Sequence, residues 1–289
     1  MSQHDEARIA YARKLSKLYL PNDKIQAIVV SGSTAREFSD EFSDLELALF
    51  WKQEPEEQER NAPLERLGAQ VSRQITPDND FFYGVDNFIV GNFAVDVVHN
   101  LSDRFQQMVE SVVSAQKMDT KRENLVAMCQ RFFPVWGGSY IREIQSTCLY
   151  NTEYANKLLD ALEPANIGVM TMHAHRSDVL SFQRFLCQGV EDLLRLCCIL
   201  NYTFFPQPKR LKPLLANLKN CPEGFEKRIL EIFLLTPQEA IEEYSNLLTE
   251  TLQLLSEEFE LPDHMTRLLH RKSRRAVLQP DQINFPNLD

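Results

Sequence analysis

The spacing of apolar residues in the first third of the chain alternates between helical and strand periods. An apolar helical pattern stops at Pro21, and short apolar runs with strand character follow it. The last two apolar runs are separated by Gly91-Asn92, a type of pair that closes tight hairpins. The predicted elements are a helix over 6–18, strands over 25–31 and 45–51, a loop over 52–61, a helix over 64–74 and a β-hairpin over 88–98.

From residue 101 onward the pattern is helical, with Pro and Gly signals between segments and no convincing strand. The predicted helices cover 101–116, 140–162, 177–200, 210–219, 223–235 and 237–258. The sequence therefore predicts an α+β protein. A small mixed-sheet domain over 1–116 precedes an all-α helical-bundle domain over 117–289 that ends in an extended tail, with the boundary between 116 and 139.

Three carboxylates fall on predicted strands. Asp44 and Glu46 are one residue apart and point to the same face, where they repel each other beside an apolar sheet. Asp96 lies within a β-branched run, where an unpaired acid is costly. If the Asp96 strand lies beside the Asp44 strand, the three acids converge and suit two oxygen-liganded cations, Mg²⁺ being the usual choice. Alternatively, the pair lies on a solvated edge and Asp96 caps a strand or pairs with a lysine.

A Gly32-Ser33 turn between the first two strands completes the pattern. Gly32-Ser33, the Ser-Asp-hydrophobic-Glu form around Asp44 and Glu46, and the later Asp96 resemble the motifs of the nucleotidyltransferase superfamily that includes DNA polymerase beta. Within it, the chain is most similar to the lincosamide and aminoglycoside nucleotidyltransferases of antibiotic resistance and their bacterial relatives. The resemblance is strong over 25–100 and architectural elsewhere. Many relatives have a glycine where this chain has Glu37, directly after Arg36.

The resemblance implies ATP binding and Mg²⁺-dependent transfer of a nucleoside monophosphate, AMP from ATP or the equivalent from another NTP, to a small-molecule hydroxyl. Asp44 and Glu46 would hold Mg²⁺, and Asp96 would share a metal or act as general base. Gly32 and Ser33 would grip a phosphate. Arg36, and Lys209 within a basic segment that resembles one in related helical domains, would neutralise the leaving pyrophosphate; a solvated basic turn is the alternative for Lys209.

Two other functions stay open at this point. One keeps the chemistry but transfers the nucleotide to a protein, as nucleotidylating antitoxins and signal-protein uridylyltransferases do. The other is a nucleotide-binding regulator that does not catalyse. The carboxylates Asp44, Glu46 and Asp96 argue against the regulator, because simple binding does not require them.

Composition narrows the partners. The net charge of −10 argues against bulk nucleic-acid binding, which requires many Lys and Arg contacts to phosphates. No apolar run reaches membrane-spanning length and no signal peptide is evident. The six cysteines show no CxxC spacing and are expected to be reduced thiols of a cytoplasmic protein. His99 is expected to be a satisfied histidine near a strand end, and His173 and His175 to be surface or helix-cap residues.

Overall fold

The computed structural model describes residues 1–75, 84–207 and 211–270. The chain has the predicted α+β organisation, with a mixed sheet in the N-terminal part and a largely helical C-terminal part. Contacts divide it into two compact units, one of residues 1–154 with 203–207 and one of residues 155–202 with the described part of 208–289. This division falls later in the chain than the 116–139 region in which the sequence places the domain boundary.

The first unit contains a six-stranded sheet with strand order β3-β4-β5-β2-β1-β6. Strands β2 and β5 are parallel, and the other neighbouring strands are antiparallel. The elements are α1 (Gln3–Tyr19), β1 (Ile25–Val30), α2 (Gly32–Ala35), β2 (Leu45–Trp51), α3 (Glu57–Leu67), β3 (Gln70–Ile75), β4 (Gly84–Val90), β5 (Phe93–Leu101), α4 (Ser102–Val113), α5 (Thr120–Cys129), β6 (Phe133–Trp136) and α6 (Gly138–Thr147).

Helices pack against both faces of the sheet. On one face, Leu47 and Val97 pack in a core cluster with Leu15 of α1 and Leu64 of α3. On the other face, the ring of Phe50 packs edge-on against Phe105 of α4, at 5.0 Å between centroids, and tilted against Tyr140 of α6, at 5.4 Å. Because strand side chains alternate, odd-numbered residues of β2 face the first core and even-numbered residues face the second.

The predictions for 52–61 and 64–74 are wrong in detail. Helix α3 starts at Glu57, where Glu56 and Glu59 form a capping box, so half of the expected loop is helical. The helix ends at Gly68, whose φ of 59° is the left-handed conformation typical of a helix C-cap. Residues after it form β3, so the expected helix over 64–74 is replaced by the end of α3 and the edge strand of the sheet.

A sixth strand lies in the region where no strand was predicted. Strand β6 pairs antiparallel with β1 and forms the edge of the sheet, where Pro134 is tolerated because one side of the strand needs no donor. Its four residues are too few to give a periodic signal, and proline normally indicates a break.

The described part of the second unit is helical. The predicted helix over 140–162 is divided into α6 and α7 (Thr152–Ala161) because the side chain of Asn151 accepts a hydrogen bond from the backbone of Tyr154 and starts a new helix. The remaining helices are α8 (Ile167–His175), α9 (Val179–Leu200), α10 (Leu211–Leu215), α11 (Phe225–Glu231) with a 3₁₀ turn (Ile232–Leu234), α12 (Pro237–Glu258) and α13 (Asp263–His270). Among the described residues, no helix is long and apolar enough to cross a membrane.

Candidate active site

Four strand ends meet at one edge of the sheet. The last residue of β1, Val30, lies opposite Leu47 of β2 and Phe133 of β6. Leu45, the first residue of β2, lies opposite Val95 near the start of β5. The carboxyl end of β1 and the amino ends of β2, β5 and β6 therefore share one edge, which we call the site edge.

The three predicted acids lie at this edge, two of them on one face of the sheet. Glu46 and Asp96 are direct neighbours across the parallel β2–β5 pair, so their side chains project from the same face. Asp44 lies two residues before Glu46, immediately before β2 begins. All three residues are half-buried. The structure thus pairs the two strands, as convergence of the acids requires.

Gly32 lies directly against the carboxylate of Glu46. Its φ is 62°, and a Cβ at this position would be 2.5 Å from Oε2 and 2.6 Å from Oε1 of Glu46. Such a separation is far below van der Waals contact, so a side chain here would displace the Glu46 carboxylate, and the left-handed φ itself favours glycine. The neighbouring Ser31 N–H donates to the Glu46 carbonyl at 2.9 Å and fixes the turn to β2. The Gly-Ser turn and the acidic strand form one local structure.

The turn continues as the short helix α2, which ends in a Schellman motif. The N–H of Glu37 donates to the carbonyl of Thr34 at 3.2 Å, and that of Phe38 donates to the carbonyl of Ser33 at 3.1 Å. Glu37 therefore adopts a φ of 62°, a conformation that favours glycine. This glycine-type backbone lies at the position where many of the nucleotidyltransferases that the sequence resembles have a glycine.

Arg36 is close enough to Glu46 for an electrostatic interaction, and Arg131 is close enough to interact with Arg36. Burial lowers the pKa of half-buried Arg36, Glu46 opposes this shift, and the nearby charge of Arg131 adds to it. The guanidinium of Arg36 also lies over the ring of Phe38, 5.9 Å from its centroid. Arg131 lies two residues before β6 and was missed in the sequence, because its place at the site edge depends on that unpredicted strand.

Asn87 is a further residue at the site that sequence reasoning missed. It faces Asp96 across the β4–β5 pair, and its amide nitrogen donates to Asp96 Oδ1 at 2.5 Å. This bond orients the Asp96 carboxylate. The signal was available, because a hairpin closed by Gly91-Asn92 places Asn87 opposite Asp96 by counting outward from the turn.

The segment that carries Asp44 is held by the first helix. Arg8, which is buried, donates from Nε to the carbonyls of Ser43 and Asp44, at 3.2 Å each, and from Nη2 to that of Asp40 at 2.7 Å. A buried guanidinium with several carbonyl acceptors is costly to displace. Arg8 therefore acts as a positioning residue for Asp44.

Asp5 holds the start of the same segment. Its carboxylate accepts hydrogen bonds from the Ser39 N–H at 3.1 Å, from the Ser39 hydroxyl and from the Ser2 N–H at 2.7 Å. Burial by itself would raise the pKa of Asp5, but the hydrogen bonds from Ser39 and Ser2 outweigh it and lower that pKa. The carboxylate therefore stays charged and keeps the segment attached to α1.

Metal binding at the site edge fits the donor chemistry but is not pre-formed. Within the described residues, no three His, Cys, Asp or Glu side chains lie close enough together to hold a metal ion. Asp44, Glu46 and Asp96 nevertheless offer only carboxylate oxygens at this edge, the ligands that Mg²⁺ prefers. Mg²⁺ binding would require these side chains to turn toward one another. Lys209, the other predicted phosphate ligand, lies outside the described residues.

The opposite face of the same strands carries a buried polar network. The Trp51 indole N–H donates to Nδ1 of His99 at 3.1 Å, so His99 Nε2 carries the proton and donates to Asp86 at 2.8 Å. Arg60 of α3 pairs with the same carboxylate. Burial lowers the pKa of His99; it would raise that of Asp86, but the bonds from His99 and Arg60 outweigh it and lower that pKa. His99 is thus a satisfied core histidine, as expected.

His173 also has a structural environment. Its Nδ1 lies 3.1 Å from a carboxylate oxygen of Asp178, which caps α9, and its ring stacks on Phe185 at 5.4 Å between centroids. The histidine therefore closes the turn between α8 and α9, which agrees with the helix-cap expectation.

Comparison with known proteins does not identify the site. No family model matches the sequence, and no curated protein matches it significantly. The chemistry of the site edge is therefore inferred from its own residues.

Proposed function

We propose that this protein is a Mg²⁺-dependent nucleotidyltransferase. It would transfer a nucleoside monophosphate, AMP from ATP, to a hydroxyl of a small molecule such as an aminoglycoside- or lincosamide-like compound, and release pyrophosphate. The observation that carries the proposal is the contact of Gly32 with the Glu46 carboxylate, beside Asp96 on the paired strand. Because the Gly32 turn lies directly against the Glu46 carboxylate, its backbone N–H groups, which would bind phosphate, are next to the oxygens that would bind the metal.

The acids would divide the chemistry between them. Asp44 and Glu46 would hold Mg²⁺, which when bound neutralises the triphosphate and polarises the phosphorus under attack. The acceptor hydroxyl attacks the α-phosphorus, its new P–O bond forms, and the bond to the bridging oxygen of the leaving pyrophosphate breaks. Asp96, oriented by Asn87, would take the proton of the hydroxyl or complete the metal site.

The charge of the leaving pyrophosphate needs cations, and the site edge offers two. Arg36 is near Glu46 and Arg131 is near Arg36, as their electrostatic coupling indicates. Two positive charges that repel each other are stabilised when an anion lies between them. The hydroxyl of Ser33 and the backbone N–H groups of the Gly32 turn would add neutral donors to the phosphates.

We propose a cytoplasmic location for the reaction, which the thiol chemistry and the substrate support. All six cysteines are free in the structure, as is usual in a reducing compartment. ATP is also a cytoplasmic co-substrate.

The proposal is tested by incubating the protein with each labelled NTP, Mg²⁺ and a panel of antibiotics and metabolites while pyrophosphate is measured. Pyrophosphate together with label in a low-mass product supports the proposal. Label bound to protein contradicts the small-molecule acceptor, and nucleotide binding without pyrophosphate contradicts the transfer.

Two matched pairs of variants assign any activity to the site edge. Asp44→Asn should abolish pyrophosphate release, whereas Glu65→Gln, which changes an exposed acid on α3, should not. Arg131→Gln should weaken triphosphate binding more than monophosphate binding, because its contact is with the leaving phosphates; Arg66→Gln, also exposed on α3, serves as its control. Equal behaviour within either pair would remove that residue from the site.

A further inference from the structure

The second unit contains two interacting cysteines of unequal exposure. Cys197 lies in α9 and is fully buried, whereas Cys221 follows α10 and is half-buried. Their thiol groups are close enough to interact with each other. Cys221 also lines a cavity of about 630 Å³, together with Leu215, Phe225 and Leu230. A small molecule in this cavity can therefore reach one sulfur of the pair.

Asn201, the C-cap residue of α9, links the end of that helix, which contains Cys197, to the segment that contains Cys221. Its side-chain amide donates to the carbonyls of Cys197 and Asn220, at 2.7 and 2.8 Å. Its side-chain oxygen accepts from the N–H groups of Lys219 and Asn220, at 2.8 and 2.9 Å. Four hydrogen bonds from one side chain fix the 219–221 segment against the end of α9, so the closeness of the two sulfurs is built into the fold.

The two sulfurs have opposite chemical roles. Cys221 interacts with the Cys197 thiol, and the Asn201 amide lies 3.9 Å from the Cys221 sulfur; these groups lower the pKa of Cys221 although burial opposes them. Burial raises the pKa of Cys197, and its interaction with Cys221 raises it further. The sulfur of Cys221, which is accessible, is thus the better nucleophile. The thiol of Cys197, which is buried, stays protonated until it reacts with the oxidised Cys221.

We infer that Cys197 and Cys221 form a peroxide-reactive dithiol that closes to a disulfide. The Cys221 thiolate attacks the terminal oxygen of a hydroperoxide that enters the cavity, an S–O bond forms, the O–O bond breaks, and the alkoxide or hydroxide leaves. The Cys197 sulfur then attacks the sulfenic sulfur, an S–S bond forms, and the released hydroxide takes the proton of Cys197 as water. The sulfurs are oxidised, the peroxide is reduced, and a dithiol reductant reverses the reaction.

The other thiols of the chain lack one part of this arrangement. Cys129 and Cys148 are close enough to interact with each other, but both are buried. Cys187 is exposed on α9 and lies outside both thiol pairs. Cys198 is adjacent to Cys197 but buried, and consecutive helical residues point in different directions. These cysteines are internal controls for pairing and for access.

The experiment treats the reduced full-length protein with increasing hydrogen peroxide, blocks the remaining thiols and maps tryptic peptides by mass spectrometry. We expect the 197–221 disulfide to form first, with two of the six thiols lost and recovered after dithiothreitol. Cys198→Ser should leave the bridge intact, because Cys198 lies in the same tryptic peptide but its side chain points in a different direction from that of Cys197. Cys197→Ser should leave a sulfenic acid on Cys221 that dimedone traps.

Oxidation of Cys187 while Cys197 and Cys221 stay reduced would overturn the inference, as would a bridge that forms through Cys198 or only in denaturant. The wild-type peptide map decides the question even if a variant fails to fold. None of these measurements uses nucleotide, so their outcome is independent of the proposed transferase activity.

Discussion

The two faces of strands β4 and β5 place similar residues in opposite environments. On one face, Asp86 is fully buried, pairs with Arg60 and accepts a hydrogen bond from His99. On the other face, its sequence neighbour Asn87 donates to Asp96, which is half-buried at the site edge beside Glu46. The polar groups on the first face satisfy one another within the core. Those on the second face include acids that are accessible to a ligand.

The energetic consequences of the two arrangements differ. A buried carboxylate has lost its hydration and depends on its partners, so removing one member of the network leaves an uncompensated charge or donor. Acids at a half-exposed edge keep part of their hydration, and their mutual repulsion costs stability rather than adding to it. The core network should therefore control folding, and the site edge should control chemistry.

The largest expected effect is on activity at the site edge. Glu46→Gln keeps the shape of the side chain but removes the charge that would hold Mg²⁺, and should lower nucleotidyl transfer by about 10³-fold or more, which corresponds to about 4 kcal/mol. Its free energy of unfolding should stay within about 0.5 kcal/mol of wild type or rise slightly. Pyrophosphate release and urea unfolding measure the two effects. A variant that unfolds would make Glu46 structural.

The second-largest effect should be on stability rather than activity, and it should arise in the buried network. Asp86→Asn leaves Arg60 without its partner and replaces an acceptor by an amide beside the His99 N–H, which should cost about 3–5 kcal/mol of unfolding free energy. Asp96→Asn, on the other face, is the matched control and should change stability far less. Urea denaturation of both variants tests the comparison, and equal losses would contradict it.

The parts of the structure that the sequence predicted are those set by local pattern. Apolar alternation and the Gly91-Asn92 turn were sufficient to predict β1, β2 and the β4–β5 hairpin. The pairing of β2 with β5, which brings Glu46 beside Asp96, was only a condition for the convergence of the acids, and the structure meets it. The roles of these residues stay predictions.

The parts that were missed depend on contacts between distant segments. Arg131 reaches the site edge only because a four-residue strand pairs with β1. Arg60 reaches Asp86 only because α3 begins at Glu57, within a segment predicted to be a loop. Neither contact leaves a periodic signal. The boundary of α3 depended on a left-handed Gly68, a property of backbone conformation that composition alone does not reveal.

A third prediction uses pH to separate the faces. The folded-state pKa of His99 is lowered from its ordinary value of 6.5, so below pH 6.5 the unfolded chain binds a proton that the folded chain does not. The contribution of neutral His99 to the free energy of unfolding is therefore complete above pH 6.5. It falls as the pH drops below 6.5, by up to about 1.4 kcal/mol per pH unit. Asp86, whose pKa is lowered from 3.8, adds a further loss at more acidic pH.

His99→Gln tests the origin of that slope. A glutamine amide can accept from Trp51 and donate to Asp86, but it does not titrate, so the dependence just below pH 6.5 should vanish while the more acidic loss remains. Unfolding free energy measured at several pH values gives both slopes. A slope that persists in His99→Gln would assign it to another group.

The smallest expected effect concerns the backbone that carries the site edge. Glu37 has a φ of 62° and is exposed, so its side chain gains little from burial while its backbone is in a conformation that costs a non-glycine residue about 1–2 kcal/mol. Glu37→Gly should therefore raise the unfolding free energy by about 1 kcal/mol, since glycine loses some of the gain through its greater freedom when unfolded. Gly32→Ala is the contrasting variant, because its Cβ would meet the Glu46 carboxylate and should both destabilise the protein and disable the site. A stabilised and still active Glu37→Gly would mean that the turn requires the left-handed backbone and not the glutamate, whereas a destabilised one would reveal a role for the carboxylate, which lies 3.5 Å from the N-terminal ammonium.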